Sequence, residues 1–134
     1  MSNEFTRNIQ DATLSVSATI PSTATNAFTG NINLGTNSKG FFPENTELEI
    51  SLPAFTVSQL ADGATVTALV VNGAAVDPTA TLGISRVVTG AGGAGAPATT
   101  FHVRLPPETL QYLRVRFTTS GTGAAGTATA KVLT

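Results

Sequence analysis

The chain has no cysteine and no tryptophan, and only one histidine and one tyrosine, in 134 residues. Without cysteine it has no disulfide and no thiolate metal site. A single histidine cannot form a transition-metal site unless carboxylates join it. It also leaves one candidate base for activating a serine nucleophile. Charged residues make up 11% of the chain, against about 25% in a typical globular protein. They nearly cancel, with seven Lys and Arg against eight Asp and Glu. That balance argues against a broad basic footprint for nucleic acid and against a polybasic membrane anchor. No apolar run approaches the roughly 18 residues of a spanning helix. The start, Met1-Ser2-Asn3-Glu4, is followed by polar residues rather than the apolar core of a secretory signal. The expectation is synthesis in the cytoplasm, with no membrane or nucleic-acid partner and no cofactor.

Small residues fill the space. Hydrophobic residues reach 41%, but much of that share is alanine and valine, and Thr, Ser and Gly supply the rest. Such a composition suits strands whose outer faces carry hydroxyls rather than charges. A weakly charged surface protects poorly against association, which is tolerable for a subunit packed on a large assembly. The length suits one domain with a modest core.

Alternation of apolar and polar residues, the period of a half-buried strand, recurs along the chain. Leu14, Val16, Ala18 and Ile20 share one face of residues 12–20, and Pro21 ends the run. Residues 27–34 form a second run. Leu48, Ile50 and Leu52 alternate with Glu47, Glu49 and Ser51 up to Pro53. Residues 64–71 are nearly all apolar or Thr, as for a strand covered on both faces. Asn72-Gly73 reads as a turn, and Gly83 within residues 79–88 reads as a bulge. The strongest pattern is Phe101-His102-Val103-Arg104-Leu105, a short linker from Pro106 to Gln111, then Leu113-Arg114-Val115-Arg116-Phe117. It predicts two antiparallel arms with an apolar inner face and a basic outer one. Residues 127–133 close the chain as a last strand, after a glycine-rich turn at residues 121–126. The fold expectation is an all-β, single-domain antiparallel β-sandwich, jelly-roll-like, with about eight strands over residues 12–134. Residues 1–11 precede it as an arm that is loose unless a partner holds it.

Few residues suggest chemistry. His102 sits beside Arg104 on the expected outer face, away from acids. Glu47 and Glu49 share a strand face, but an acid pair for glycoside hydrolysis lacks the aromatic platforms that sugars stack on. They read better as a solvated face opposite Arg104, Arg114 or Arg116 on a neighbouring strand. Those three arginines suit protein contacts or internal ion pairs, and nucleic acid is the less favoured partner. Residues 90–95 are glycine-rich but lack the Gly-Lys-Ser/Thr ending of a phosphate loop, and residues 89–98 read as a flexible loop. Phe41-Phe42, adjacent aromatics in a loop, cannot both point inward, so one is a contact anchor unless the loop folds over the core. No catalytic, cofactor or metal residues emerge, and the expectation is a non-enzyme.

The last third carries a resemblance. Leu105-Pro106, then Tyr112-Leu113-Arg114-Val115, then a Thr-Gly-Thr-x-x-Gly-Thr turn within residues 119–127 is similar in order to the small capsid cement (decoration) proteins of tailed phages. The type resembled is the jelly-roll protein of the Bordetella short-tailed phage. The resemblance implies a jelly-roll sandwich on the outer surface of the virion, bridging capsomers and stabilising the shell. Its implied partners are the major capsid protein and other copies of itself, as a homodimer or another symmetric oligomer. Contacts are expected through the arm, including Phe5 and Arg7, through Phe41 and Phe42, and through a strand face bearing Arg104, Arg114 and Arg116. The alternative is an Ig-like or carbohydrate-binding module of a phage tail or bacterial surface protein, against which the aromatic shortage counts.

Overall fold

The structure, a computed structural model, describes residues 15–22, 26–33, 47–106, 111–120, 124 and 126–133. These contain nine strands and no helix: β1 (Ser15–Thr19), β2 (Asn26–Phe28), β3 (Ile32–Asn33), β4 (Glu47–Leu52), β5 (Thr65–Gly73), β6 (Ala80–Thr89), β7 (Thr99–Arg104), β8 (Tyr112–Thr119) and β9 (Thr127–Leu133). They form two antiparallel sheets. The first has the order β1-β9-β4-β7, and the second β2-β8-β5-β6, with β3 also paired to β8. β2 and β3 lie end to end along one side of β8, facing Arg116–Thr118 and Tyr112–Leu113 respectively. Counted as one interrupted strand, they make eight strands in two interleaved sheets, a jelly roll.

The alternating residues form the interior. Leu48, Ile50 and Leu52 of β4, Val66, Ala68 and Val70 of β5, Leu113, Val115 and Phe117 of β8, and Ala128, Ala130 and Val132 of β9 all belong to one buried cluster. Phe117 is the largest fully buried side chain. Its in-sheet neighbours are Ala27 and Ala68, whose small side chains leave room for the ring. Burying each such large apolar side chain is worth about 1.5–3 kcal/mol.

Three sequence expectations change. The arms at Phe101 and Leu113 do not pair with each other. β7 pairs with β4 in the first sheet, and β8 with β5, β2 and β3 in the second. Their linker starts Pro106-Pro107 and has no Gly or Asn to supply the positive φ of a tight hairpin. Among the described strands, the one connection joining neighbours within a sheet is β5 to β6. There, Asn72 and Gly73 stay in the strand. The turn falls later, with Asp77 at φ 58, because Asn72 still pairs with Ala80 and donates from Nδ2 to its carbonyl.

The bulge at Gly83 is present. Leu82, Gly83 and Ile84 face the single residue Val70, with Gly83 at φ 79. Residues 89–98, by contrast, are hydrogen-bonded in place rather than loose. Phe55 and Ala96 exchange backbone bonds of 2.8 and 3.0 Å, Gly63 N–H donates to the Gly90 carbonyl, and Gly90 N–H donates to that of Ala64. Asp62 Oδ1 accepts from Gly93 N–H at 2.9 Å. The two connections β4–β5 and β6–β7 thus close one end of the sandwich together. The arm at residues 1–11, the Phe41-Phe42 loop and linker residues 107–110 lie outside the described residues.

Candidate functional site

The two outward faces differ in chemistry. On the first sheet, β4 presents Glu47 and Glu49 outward because Leu48 and Ile50 are held in the core. Register sets their neighbours. Glu47 lies opposite Arg104 on β7, and Glu49 between His102 on β7 and Lys131 on β9. His102 is therefore among acids, contrary to the sequence expectation. Its Nδ1 is 3.4 Å from Glu47 Oε1 and its Nε2 is 3.6 Å from Glu49 Oε2. Alternation along β7 gave its direction correctly, and the strand brought alongside supplied the acids. The imidazole is about half exposed, and each ring nitrogen meets a different carboxylate, so the three groups do not converge on one point. Among the described residues, no three acidic or histidine side chains are placed to share a metal ion.

The next rows of the same face are hydroxyls. Ser17, Thr129, Ser51 and Thr100 stand side by side across β1, β9, β4 and β7. Ser51 and Thr100 share a hydrogen bond of 3.3 Å. The face is thus a mixed-charge band of Lys131, Glu49, His102, Glu47 and Arg104 beside a band of small hydroxyls.

The second sheet carries the other two predicted arginines, so Arg104, Arg114 and Arg116 do not form one stripe. Arg114 and Arg116 both point outward from β8, as alternation predicts, but Arg114 is not a free surface cation. Only 9% of it is exposed. Its guanidinium carbon lies 3.7 Å from the Phe28 ring centroid. Nε donates to the Pro78 carbonyl at 2.8 Å, and Nη1 to Asp77 Oδ1 at 3.4 Å. Asn31 fixes Asp77 from the other side, donating to Oδ1 and accepting from the Asp77 backbone N–H. The turn between β5 and β6 is thereby folded against the sheet's outer face. Val71, opposite Arg114, is fully buried there, apart from the core cluster. Arg116 sits between Phe28 and Leu69 in register and buries its Nε without a hydrogen-bond partner.

Sequence reasoning missed the Arg114–Asp77–Asn31 lock. Its parts are far apart in the chain, and the only local signal was Asp77-Pro78, a turn-forming pair. Phe5, Arg7, Phe41 and Phe42 lie outside the described residues.

No family model and no curated protein matches the chain. Similar solved structures include PirA, at 14% identity, covering 90% of this chain and 94% of that one, with a TM-score of 0.47. A chain of the cowpea mosaic virus top component, naturally occurring empty particles, is similar at 6% identity over 90% of this chain and 80% of that one, with a TM-score of 0.42. A CBM4 structure matches at 16% identity over 81% and 68%, with a TM-score of 0.37. These likenesses decide nothing about role, and the jelly-roll assignment rests on the strand ladder itself.

Proposed function

We propose that the protein is a capsid cement protein, bound to the outer surface of a tailed-phage head and bridging capsomers of the major capsid protein. The observation that carries this reading is the ordered series Leu105-Pro106, Tyr112-Leu113-Arg114-Val115 and the Thr-Gly turn before β9, which is similar to that of phage cement proteins. The strand order supports it, since the resemblance implies a jelly roll and the two sheets form one. In this reading the protein is a non-enzyme. It binds the expanded shell and not its precursor, and so stabilises the expanded state by mass action. An interface of about 1,600 Å² per contact would raise the cost of rupture under packed DNA.

The geometry narrows the contact residues. Arg114 is committed internally to Asp77, Pro78 and Phe28, which leaves Arg104 and Arg116 as arginine contacts on opposite faces. The first sheet's outer face, with acids and bases interspersed, suits a partner that must dock in one orientation, because mixed charges penalise wrong registers. Phe5, Arg7, Phe41 and Phe42 remain the proposed contacts from outside the described segments.

The test is co-sedimentation of the purified chain with expanded heads and with unexpanded precursors lacking it. Saturable binding to expanded heads alone, with heads then resisting heat-induced rupture, is the expected result. Binding to neither particle would sink the proposal. Glycan-array binding without shell binding would replace it with the carbohydrate-module reading.

A further inference from the structure

Among the described residues the two sheets have four outer edges, and three of them are defended against strand addition. On β6, the bulge at Gly83 breaks the ladder, and Arg86 occupies the register position opposite core-facing Ala68. A bulge and an inward-registered charge are both devices that block edge pairing. β7 carries His102 and Arg104. β2 and β3 are only three and two residues long, with Thr29-Gly30-Asn31 between them.

β1 has none of these devices. Its five residues, Ser15-Val16-Ser17-Ala18-Thr19, include no charge, proline or glycine. Its register with β9 is unbroken from Ser15 to Thr19, and among the described residues it pairs with no other strand. An edge of this kind is a template for another strand.

The sequence of β1 indicates which strand. It is symmetric in kind about Ser17, with hydroxyl, small apolar, hydroxyl, small apolar and hydroxyl in order. Antiparallel pairing with itself sets Ser17 opposite Ser17, Val16 opposite Ala18, and Ser15 opposite Thr19. Apolar residues then meet apolar ones on the core face, hydroxyls meet hydroxyls on the outer face, and no like charges are opposed. Val16 and Ala18 are only partly buried and already pack against the core, so the pairing would cover what remains. We propose that two copies of the chain join through the free edges of β1, about a two-fold axis at Ser17. The first sheets of the two copies then form one continuous sheet in the order β7-β4-β9-β1, followed by β1-β9-β4-β7 of the second copy. Such an interface is isologous and closed, the commonest symmetry of homo-oligomers. The cement-protein reading already implies a symmetric oligomer; the edge and the axis rest on β1 alone, and a test on the isolated protein fails or succeeds separately from shell binding.

The absence of cysteine makes the test clean. Directly opposed antiparallel residues have Cβ atoms about 4.5–5.5 Å apart, a spacing that small adjustments bring to the Cβ separation of a disulfide. Ser17→Cys in the full chain should therefore form a covalent dimer under mild oxidation. Thr129→Cys, exposed one strand further in, should not, because with strands about 4.8 Å apart the paired positions lie about 14 Å from each other. Sedimentation equilibrium of the wild-type chain from about 10 µM to 1 mM should show a monomer–dimer equilibrium, weak because only five residues of each copy meet. Ser17→Lys and Ser17→Glu should each weaken it by about ten-fold or more, and an equimolar mixture of the two should restore it. Circular dichroism would verify that all variants fold. Three results would each overturn the proposal: a monomer throughout the range, dimers indifferent to charge at Ser17, or equal crosslinking through Ser17→Cys and Thr129→Cys.

Discussion

Arg114 shows what a single residue's environment can do to a simple pattern. Alternation on β8 correctly directs it outward, yet the β5–β6 turn closes over it and makes it a buried cation. The energetic weight lies in the neutral contacts. Pro78 contributes a buried carbonyl and Phe28 a ring face, while the Asp77 carboxylate is 71% exposed and solvent screens it. Arg114→Ala should therefore destabilise the protein by about 2–4 kcal/mol, through an unsatisfied carbonyl and lost packing over Val71. Asp77→Asn keeps the left-handed backbone conformation that Asn tolerates and should cost under about 1 kcal/mol. Urea denaturation of both variants checks the contrast, and equal losses would mean that the ion pair dominates after all. His102 teaches the complementary lesson. Its outward direction was legible from Phe101 and Val103, but its partners Glu47 and Glu49 lie more than fifty positions earlier in the chain, and register alone delivered them.

At the scale of elements, boundaries were legible where alternation was clean. β4 and β9 lie within a residue of the expected runs, and β8 contains its expected arm with one more residue before it and two after, because a one-residue slip would turn every core residue to solvent. Pairing was not legible, as β7 and β8 show. Their matching arms look like a hairpin, but identical binary patterns suit any strand of either sheet. The glycine-rich connection was misread because glycine signals both freedom and close approach, and here close approach decides. A Cβ at Gly95, held at φ 71, would collide with the Phe55 carbonyl oxygen and the Thr56 backbone, whereas one at Gly92, at φ 66, meets nothing within 4 Å. Gly92→Ala should cost only the left-handed penalty of about 1–2 kcal/mol. Gly95→Ala should cost more than about 3 kcal/mol by forcing apart the β4–β5 and β6–β7 connections. Thermal melts and hydrogen exchange at Phe55 and Ala96 would show it, and equal costs would mean that the two connections are not interlocked.

For the whole molecule, the last strand in the sequence is an interior one. β9 lies between β1 and β4, so residue 15 pairs with residue 131, and the first sheet is incomplete until the last strand arrives. Such long-range closure places folding in the range of about milliseconds to seconds. Removing residues 127–134 takes Ala128, Ala130 and Val132 from the core and splits β1 from β4. The truncated chain should show no cooperative unfolding transition in denaturant, and a retained sharp transition would mean that the second sheet folds alone. The sequence by itself determined the class, the strand positions and which side of each strand is apolar, because these depend on a period of two that any short window displays. Only the tertiary structure decided which strands are neighbours, that His102 meets two acids, that Arg114 is enclosed and that β1, among the described residues, pairs on one side alone. Those outcomes follow from cross-strand register between distant segments, which no local pattern encodes.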